Sequence, residues 1–153
     1  MTGNDGAHEV VLPGGFVLSD DRARLDLREV HELLTGSAYW ARGRTLDQTE
    51  RSFAHCHPFA AYAPDGSLAG FARVLTDYTF RAHLGDVFIL PERRGLGLGK
   101  ALLQFVLDHP ALRSVTHWTL TTQDAHDLYA RHGFHLGEGD GKWMVMHRDP
   151  ALA

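Results

Sequence analysis

Hydrophobic and polar residues follow two different spacings along the chain, and the change between them predicts a mixed α/β fold. Apolar residues recur at helical spacing in RARLDLREVHELLTG (residues 22–36) and in GKALLQFVLDH (residues 99–109), which predicts two helices. Shorter apolar runs in PFAAYA, LAGFARVLTDY and LGDVFIL predict strands, and the turn PDGS joins the first two as a hairpin.

The weaker patterns complete the predicted order of elements, βααβββαβαββ. Short strands are predicted at FVLS, VTHWTLTT, FHLGEG and KWMVMHR, and short helices at TLDQTERSFAHC and DAHDLYARHG. Thr45 and Gln48 have the spacing of a helix-capping pair. Because no repeat or linker interrupts this order, we expect one α/β domain over residues 15–150, preceded by a flexible, polar tail over residues 1–14.

Composition and charge narrow the class of protein. The 153 residues are 44% hydrophobic and 22% charged, which is ordinary for a soluble domain. The net charge of -4 gives no basic surface for nucleic acid. A single cysteine, Cys56, excludes an intrachain disulfide and fits a reducing compartment. No apolar run approaches the roughly 20 residues of a membrane span, so we expect a cytoplasmic protein.

The segment RRGLGLGKA, between a predicted strand and a predicted helix, carries the strongest chemical signal. It does not have the spacing of a P-loop, since Ala101 stands where that motif needs a hydroxyl, and it lacks the dinucleotide-binding spacing as well. The spacing that this segment does have is Arg94-x-x-Gly97-x-Gly99. Backbone amides of such a turn, with the positive end of the following helix, suit a pyrophosphate. A glycine-rich turn without a ligand is the alternative.

Two segments together resemble the GCN5-related N-acetyltransferases. VFILPERRGLGLGKALL resembles the family's acetyl-CoA pyrophosphate motif, (Q/R)-x-x-G-x-(G/A), and about 30 residues later DAHDLYARHGF resembles its L-Y-x-x-x-G-F segment. The resemblance implies the GNAT fold: a mixed central sheet of about six to seven strands, flanked by about four helices, with splayed central strands.

The resemblance also implies where acetyl-CoA binds. The backbone of Val87, Phe88 and Ile89 is expected to pair with the pantetheine arm. The pyrophosphate is expected to contact the amides of Arg94, Gly95, Leu96, Gly97, Leu98, Gly99 and Lys100. Thr122 stands where many members have an asparagine that contacts the pantetheine. A threonine can make one hydrogen bond there, or it can cap the following helix instead, and the sequence leaves both roles open.

Two catalytic residues are implied in the same way. Tyr129 is expected near the acetyl-CoA sulfur, where a phenol can protonate the departing thiolate; a tyrosine packed on the core is the alternative. A general base must remove a proton from the attacking amine. Asp86 is the first choice because it immediately precedes the cofactor strand, and the other candidates are Asp77, beside the central strands, and His83 and His117. A structural, hydrogen-bonded Asp86 is the competing interpretation.

The acceptor is expected to contact the loop between the first two helices, which forms the pocket wall in the family. Tyr39, Trp40 and Arg42 are therefore predicted to bind substrate, and Arg73 and Asp77 are added from the central strands. Aromatic residues in this loop are equally consistent with a lid or a core role.

These observations predict an N-acetyltransferase that transfers an acetyl group from acetyl-CoA to a small-molecule primary amine by direct attack in a ternary complex. An acyl-CoA-binding sensor with little turnover and a protein lysine or N-terminal acetyltransferase are the alternatives. No metal is predicted: despite eleven histidines, including His55 and His57 around Cys56, no HExxH or paired CxxC spacing is present. Nothing in the sequence specifies an interface, although a homodimer is compatible with the resemblance.

Overall fold

One sheet of eight strands, in the order β1-β2-β3-β4-β5-β6-β8-β7, organises residues 6–150, which the computed structural model describes. The strands are β1 (Glu9–Val11), β2 (Val17–Ser19), β3 (His57–Tyr62), β4 (Leu68–Thr76), β5 (Arg81–Ile89), β6 (His117–Thr121), β7 (His135–Leu136) and β8 (Trp143–His147). The α-helices are α1 (Leu27–Ser37), α2 (Leu46–Ala54), α3 (Leu98–Asp108) and α4 (His126–Ala130). The predicted fold class and element order are confirmed, with one strand more than predicted.

The additional strand, β1, lies inside the segment that the sequence predicts to be a flexible tail. β1 pairs antiparallel with β2 through Val10 and Leu18, and the backbone N–H of His8 donates to the carboxylate of Asp20 at 2.6 Å. The prediction was therefore wrong for residues 9–11, which belong to the sheet; residues 1–5 lie outside the described part of the chain. A strand of only three exposed residues has no hydrophobic alternation that sequence reasoning could detect.

Helices cover both faces of the sheet, and each face has its own hydrophobic core. Leu102 and Val106 of α3 pack with Trp118 on one side. Leu34 of α1 and Phe53 of α2 belong to the core on the other side. The central strands are therefore buried on both faces, so their ends and the gaps between them are where polar side chains can meet. None of the helices over residues 6–150 is long and apolar enough to cross a membrane.

Side-chain caps explain where α1 and α2 begin. The Thr45 side chain and the Gln48 side chain form the predicted reciprocal capping box at the start of α2. The Asp26 carboxylate accepts from the first amides of α1, which therefore begins later than the hydrophobic pattern predicts. Helix α4 is also shorter than predicted, because its last turn tightens before Gly133, where φ is +97°.

The two central parallel strands separate along their length. β5 pairs with β6 from Arg81–His117 as far as Leu84–Leu120, while β5 itself continues to Ile89. On its other side β5 has a bulge, because Phe71 pairs with Phe88 but Arg73 pairs with Gly85. Asp86 lies in this bulge with a φ of +51°. The second half of β5 therefore borders a gap in the sheet, as the predicted splay requires.

Candidate active site

Two cavities meet at this gap. The glycine groove, of about 610 Å³, lies between the end of β5, the loop over residues 93–97 and helix α4. The polar cavity, of about 390 Å³, contains Arg44, Arg73, His83 and Asp86 in its wall. The two cavities share part of their lining: Tyr39, Trp40, Val87, Asp124, Ala125 and Tyr129. A molecule in the groove can therefore reach a second molecule in the polar cavity without leaving the protein.

The loop that precedes α3 has the geometry of an anion-binding turn. Gly95 and Gly97 have φ values of +81° and +80°, and a Cβ atom at either position would meet nothing within 4 Å. Backbone conformation therefore requires glycine here, while the space beside the backbone stays open. Gly97 is the N-cap of α3 and provides no side-chain cap, so the first amides of the helix remain available. Arg93, Arg94 and Lys100 line the same groove.

Most of the residues predicted to contact acetyl-CoA lie along this groove: Val87, Phe88, Ile89, Arg94, Gly95, Gly97, Leu98, Gly99, Lys100 and Tyr129. Leu96 lies outside the lining, with 59% of the residue exposed. Thr122 lines the polar cavity instead, and its Oγ1 accepts a hydrogen bond from the N–H of Ala125 at 3.0 Å. This bond goes to the N–H of Ala125, the N-cap residue of α4, and α4 itself has no side-chain cap.

Asp86 forms the centre of a buried hydrogen-bond network. Its Oδ1 accepts from Nε1 of Trp40 at 2.9 Å, and its Oδ2 accepts from Nη1 of Arg44 and Nε of Arg73, each at 2.8 Å. Burial opposes ionisation, but the bonds to the two arginines outweigh it and hold the pKa of Asp86 below its usual value. A carboxylate so stabilised in its charged form is a poor proton acceptor. These contacts do not fit the predicted role of general base, and they make Asp86 the residue that positions its three donors.

His83 in β5 is better suited to accept a proton. Its Nδ1 lies 2.7 Å from Oγ1 of Thr119, and its ring stacks on Trp143 with centroids 5.7 Å apart. Burial and the positive charge of Arg73 lower the pKa of His83 below its usual value, which favours the neutral imidazole. The sequence offered His83 as a further candidate for the base, behind Asp86; its place in the polar cavity follows from the pairing of β5 with β6.

Tyr129 is positioned between the two cavities. The residue is 6% exposed, and its ring packs edge-on against Phe134 at 5.9 Å. Burial, reinforced by Asp124 and Tyr39, raises the pKa of Tyr129 to about 12. The phenol is therefore protonated at neutral pH and can donate a proton. Tyr129 packs in the core, as the alternative interpretation expected, and it also lines both cavities.

The residues predicted to bind the acceptor divide into two groups. Tyr39 and Trp40 line both cavities, and Arg73 lines the polar cavity. Arg42 lies instead in an outer pocket of about 400 Å³, which also contains Arg44 and Arg73. Sequence reasoning missed Arg44, which is two residues from Arg42. The two residues flank Gly43, where φ is +79°, and no local pattern specifies which of them lines the polar cavity.

Asp77 lies in neither cavity, so its predicted substrate contact is not supported. Its Oδ1 accepts hydrogen bonds from the backbone N–H groups of Thr79, Phe80 and Arg81 at 2.9, 2.8 and 3.0 Å. These bonds close the turn between β4 and β5, which is the ordinary local role of aspartate in a turn. Asp124 and Lys142, which the sequence did not indicate, line the polar cavity instead.

A separate cluster joins Asp20, His57 and His109, whose potential metal-ligand atoms lie within 4.8 Å of one another. Nε2 of each histidine is 2.7 Å from Oδ2 of Asp20. The N–H of Ala111 donates to Nδ1 of His109, so the proton of the neutral ring is on Nε2 and points to Asp20. A metal ion bound at Nε2 of His109 would displace the proton of the neutral ring to Nδ1. The hydrogen bond from the N–H of Ala111 to Nδ1 would then break. The geometry is that of a hydrogen-bonded structural network.

The comparisons with known proteins agree with this architecture. The sequence model described as the acetyltransferase (GNAT) family matches residues 27–134. Streptothricin acetyltransferase of Streptomyces lavendulae is 33% identical over 93 residues, which are 58% of this chain and 49% of that protein. The chain spans about half the length of the curated relatives it matches, with shares of 49%, 44% and 42%.

Solved structures with the same fold include two that are informative. A GNAT family protein from Xanthomonas campestris pv. campestris is 41% identical, with a TM-score of 0.76 over 80% of this chain and 85% of that one. PaiA N-acetyltransferase of Thermoplasma acidophilum, solved in complex with coenzyme A, has a TM-score of 0.61 over 82% of this chain and 96% of that one. At 18% identity this second likeness concerns the fold alone.

Proposed function

This chain belongs to the acetyltransferase (GNAT) family, and on that premise we propose that it is an N-acetyltransferase. The donor is acetyl-CoA, the acceptor is the primary amine of a small molecule, and the amine attacks directly in a ternary complex. The observation that carries the proposal is the junction of the two cavities at Tyr129 and Val87. A donor in the glycine groove and an acceptor in the polar cavity would meet at that junction.

The glycine groove fits coenzyme A by its charge and its backbone. Arg93, Arg94 and Lys100 supply positive charge beside the open amides at Gly95 and Gly97, which suits a pyrophosphate. The end of β5 borders the gap where a pantetheine arm can pair with the strand. When bound, acetyl-CoA supplies a thioester carbonyl for attack and a sulfur leaving group.

The polar cavity supplies the proton acceptor. An alkyl amine with a pKa of about 10.4 is mostly protonated at neutral pH and must lose a proton before it can attack. Nδ1 of His83 lies 2.7 Å from Oγ1 of Thr119, and in the tautomer whose Nδ1–H donates to that hydroxyl, Nε2 keeps the lone pair that takes this proton. The N–C bond then forms at the carbonyl carbon; the first proton stays on His83, and the second proton of the nitrogen goes to the phenolate that Tyr129 becomes when it protonates the sulfur.

Tyr129 and Asp86 complete the arrangement. As the C–S bond breaks, the phenol of Tyr129 gives its proton to the sulfur, which leaves as the thiol. Asp86 does not touch the reacting atoms. It holds the indole of Trp40 and the guanidiniums of Arg44 and Arg73 in the wall of the cavity.

Calorimetric titration of acetyl-CoA tests the proposed donor site. We expect micromolar binding by the wild type and loss of binding by Gly97→Glu, which places a negative charge in the turn. Gly66→Glu is a matched control, because Gly66 also has a positive φ, of +87°, and open space beside it, but lies in the β3–β4 turn. Both substitutions carry a similar conformational cost, of about 1 kcal/mol.

The outcomes separate the possible functions. Loss of binding in Gly97→Glu alone supports the site, whereas loss in both variants indicates a folding defect. Absence of binding by the wild type would contradict the proposal. Binding without acetyl transfer to any amine would favour an acyl-CoA-binding sensor over an enzyme.

A further inference from the structure

Two arginines in the wall of the polar cavity share one carboxylate oxygen. Nη1 of Arg44 and Nε of Arg73 both donate to Oδ2 of Asp86. The side chains of Arg44 and Arg73 are 19% and 22% exposed, and that of Asp86 is 2% exposed. One carboxylate balances only one guanidinium, so the group keeps an excess positive charge at a place where water screens it weakly.

The same arginines keep N–H groups that no acceptor among residues 6–150 takes up. A guanidinium carries several N–H donors in a planar fork. Arg44 uses one of them on Asp86, and Arg73 uses Nε on Asp86 and Nη1 on Sγ of Cys56, at 3.3 Å. The remaining donors lie at the boundary of the polar cavity and the outer pocket, since both arginines line both spaces. Guanidinium groups with unused N–H donors in one plane suit a carboxylate or another small oxyanion.

The charged residues around Arg44 and Arg73 strengthen the preference for an anionic ligand. The outer pocket adds Arg42 to the two shared arginines, and its described lining contains no carboxylate. Asp124, the other acidic residue of the polar cavity, lies in the part shared with the glycine groove, and Lys142 also lines the cavity. The arginine end of the cavity is therefore positive, which favours an anion and disfavours a second cationic group.

We infer that the acceptor is a small amine that also carries a carboxylate or a similar oxyanion, as an amino acid does, and that Arg44 and Arg73 bind this anionic group. The inference rests on the proposed N-acetyltransferase function and narrows its substrate class. Anchored at the arginines, such a molecule remains in the cavity that His83 also lines, so its amine can reach the base. A polyamine offers the arginines no acceptor and is repelled by them.

Steady-state kinetics with matched amines tests the inference. Each amino acid is compared with the amine that its decarboxylation leaves and with its methyl ester, and spermidine serves as the polycationic acceptor. We expect kcat/KM for the acid to exceed that of its decarboxylated partner by about 10- to 100-fold, the range of charge-assisted hydrogen bonds. Arg44→Gln is expected to remove most of this difference by raising KM for the acid alone.

Two further variants make the comparison specific. Arg51→Gln removes a positive charge from the exposed face of α2, where Arg51 pairs with Asp47. It should leave the ratio of kcat/KM for the acid to kcat/KM for its decarboxylated partner unchanged. Arg44→Lys keeps the positive charge but lacks the planar set of N–H donors of a guanidinium. Its ratio should lie between those of the wild type and Arg44→Gln. Acetyl-CoA affinity, measured on each variant, shows that the fold and the donor site are intact.

Three results would overturn the inference. If acetyl-CoA binds and the decarboxylated amines or spermidine react as well as the acids, the anionic acceptor is wrong and N-acetyl transfer stands. If acetyl-CoA binds but no amine is acetylated, or if the wild type binds no acetyl-CoA, the inference fails together with the proposed function.

Discussion

Nε2 of His109 lies 2.7 Å from Oδ2 of Asp20, which joins the end of helix α3 to the end of β2 across 89 residues of sequence. Asp20 also accepts hydrogen bonds from His57 and from the backbone N–H of His8. Burial opposes the ionisation of Asp20, but these bonds outweigh it and hold the pKa of Asp20 far below its usual value. The cluster thus links β1, β2, β3 and α3 through one carboxylate.

Asp20→Asn is expected to lower the free energy of unfolding at pH 7 by about 2 kcal/mol, the scale of a buried charge-assisted hydrogen bond. Because the folded-state pKa is depressed, this stabilisation is complete above the unfolded-state pKa of about 4 and diminishes as pH falls below it. Urea unfolding between pH 7 and pH 2.5 measures the difference. Asp21→Asn, which removes a charge but keeps an oxygen that accepts the exposed hydrogen bond from the N–H of Ala23, serves as control. A difference that grows toward low pH would contradict the prediction.

Local signals in the sequence predicted much of the fold and one side of the candidate site. The Thr45–Gln48 capping box depends on residues that are close in sequence, and the structure has it as predicted. The glycine turn before α3 is likewise encoded locally, and its positive φ values at Gly95 and Gly97 explain why glycine stands there. Conformational demands of this kind are visible in sequence because few other residues satisfy them.

The residues of the polar cavity could not be predicted from local sequence signals, because their positions depend on strand register and on the bulge in β5. Asp86 meets Arg44, 42 residues away, only because β5 is bulged opposite β4 and the loop after α1 returns over the sheet. Arg42 was predicted from the loop between the first two helices, which forms the pocket wall in the family that the sequence resembles, and Asp77 from its place beside the central strands. The structure assigns Asp77 to a turn and Arg44 to the cavity, for reasons that are entirely tertiary.

Asp86→Asn should separate positioning from proton transfer. The substitution leaves two buried guanidiniums without their counter-charge, so we expect the free energy of unfolding to fall by about 3 kcal/mol. The acceptor KM should rise, while the acidic limb of the kcat/KM pH profile should keep its midpoint, because another residue sets it. Loss of that limb in Asp86→Asn would restore Asp86 as the base. Asp77→Asn, outside both cavities, should leave the acceptor KM unchanged.

Tyr129→Phe should slow the reaction without abolishing it. A thiol with a pKa of about 8.5 is a fair leaving group, so the expected loss in kcat is about 10- to 100-fold, at or below the usual lower limit for acid catalysis. The KM for acetyl-CoA should stay unchanged, since phenylalanine preserves the packing against Phe134. Because the pKa of Tyr129 is raised to about 12, the wild type should show no loss of kcat from its ionisation up to pH 10. An unchanged kcat in the variant would leave Tyr129 as a packing residue only.

His83→Gln provides the most direct test of the proposed base. The pKa of His83 is lowered by burial and by Arg73, so wild-type kcat/KM should fall as pH decreases through a midpoint below 6.5. Glutamine cannot accept the proton; we expect kcat to drop by about 100-fold or more and the acidic limb to disappear. Thr119→Val, which removes the hydroxyl 2.7 Å from Nδ1, should give a smaller loss because the ring loses the hydrogen bond that orients it. His117→Gln, on β6 and bonded to His147, should behave as the wild type. If His83→Gln retains both its rate and its acidic limb, the amine loses its proton to another group and the assignment of His83 is wrong.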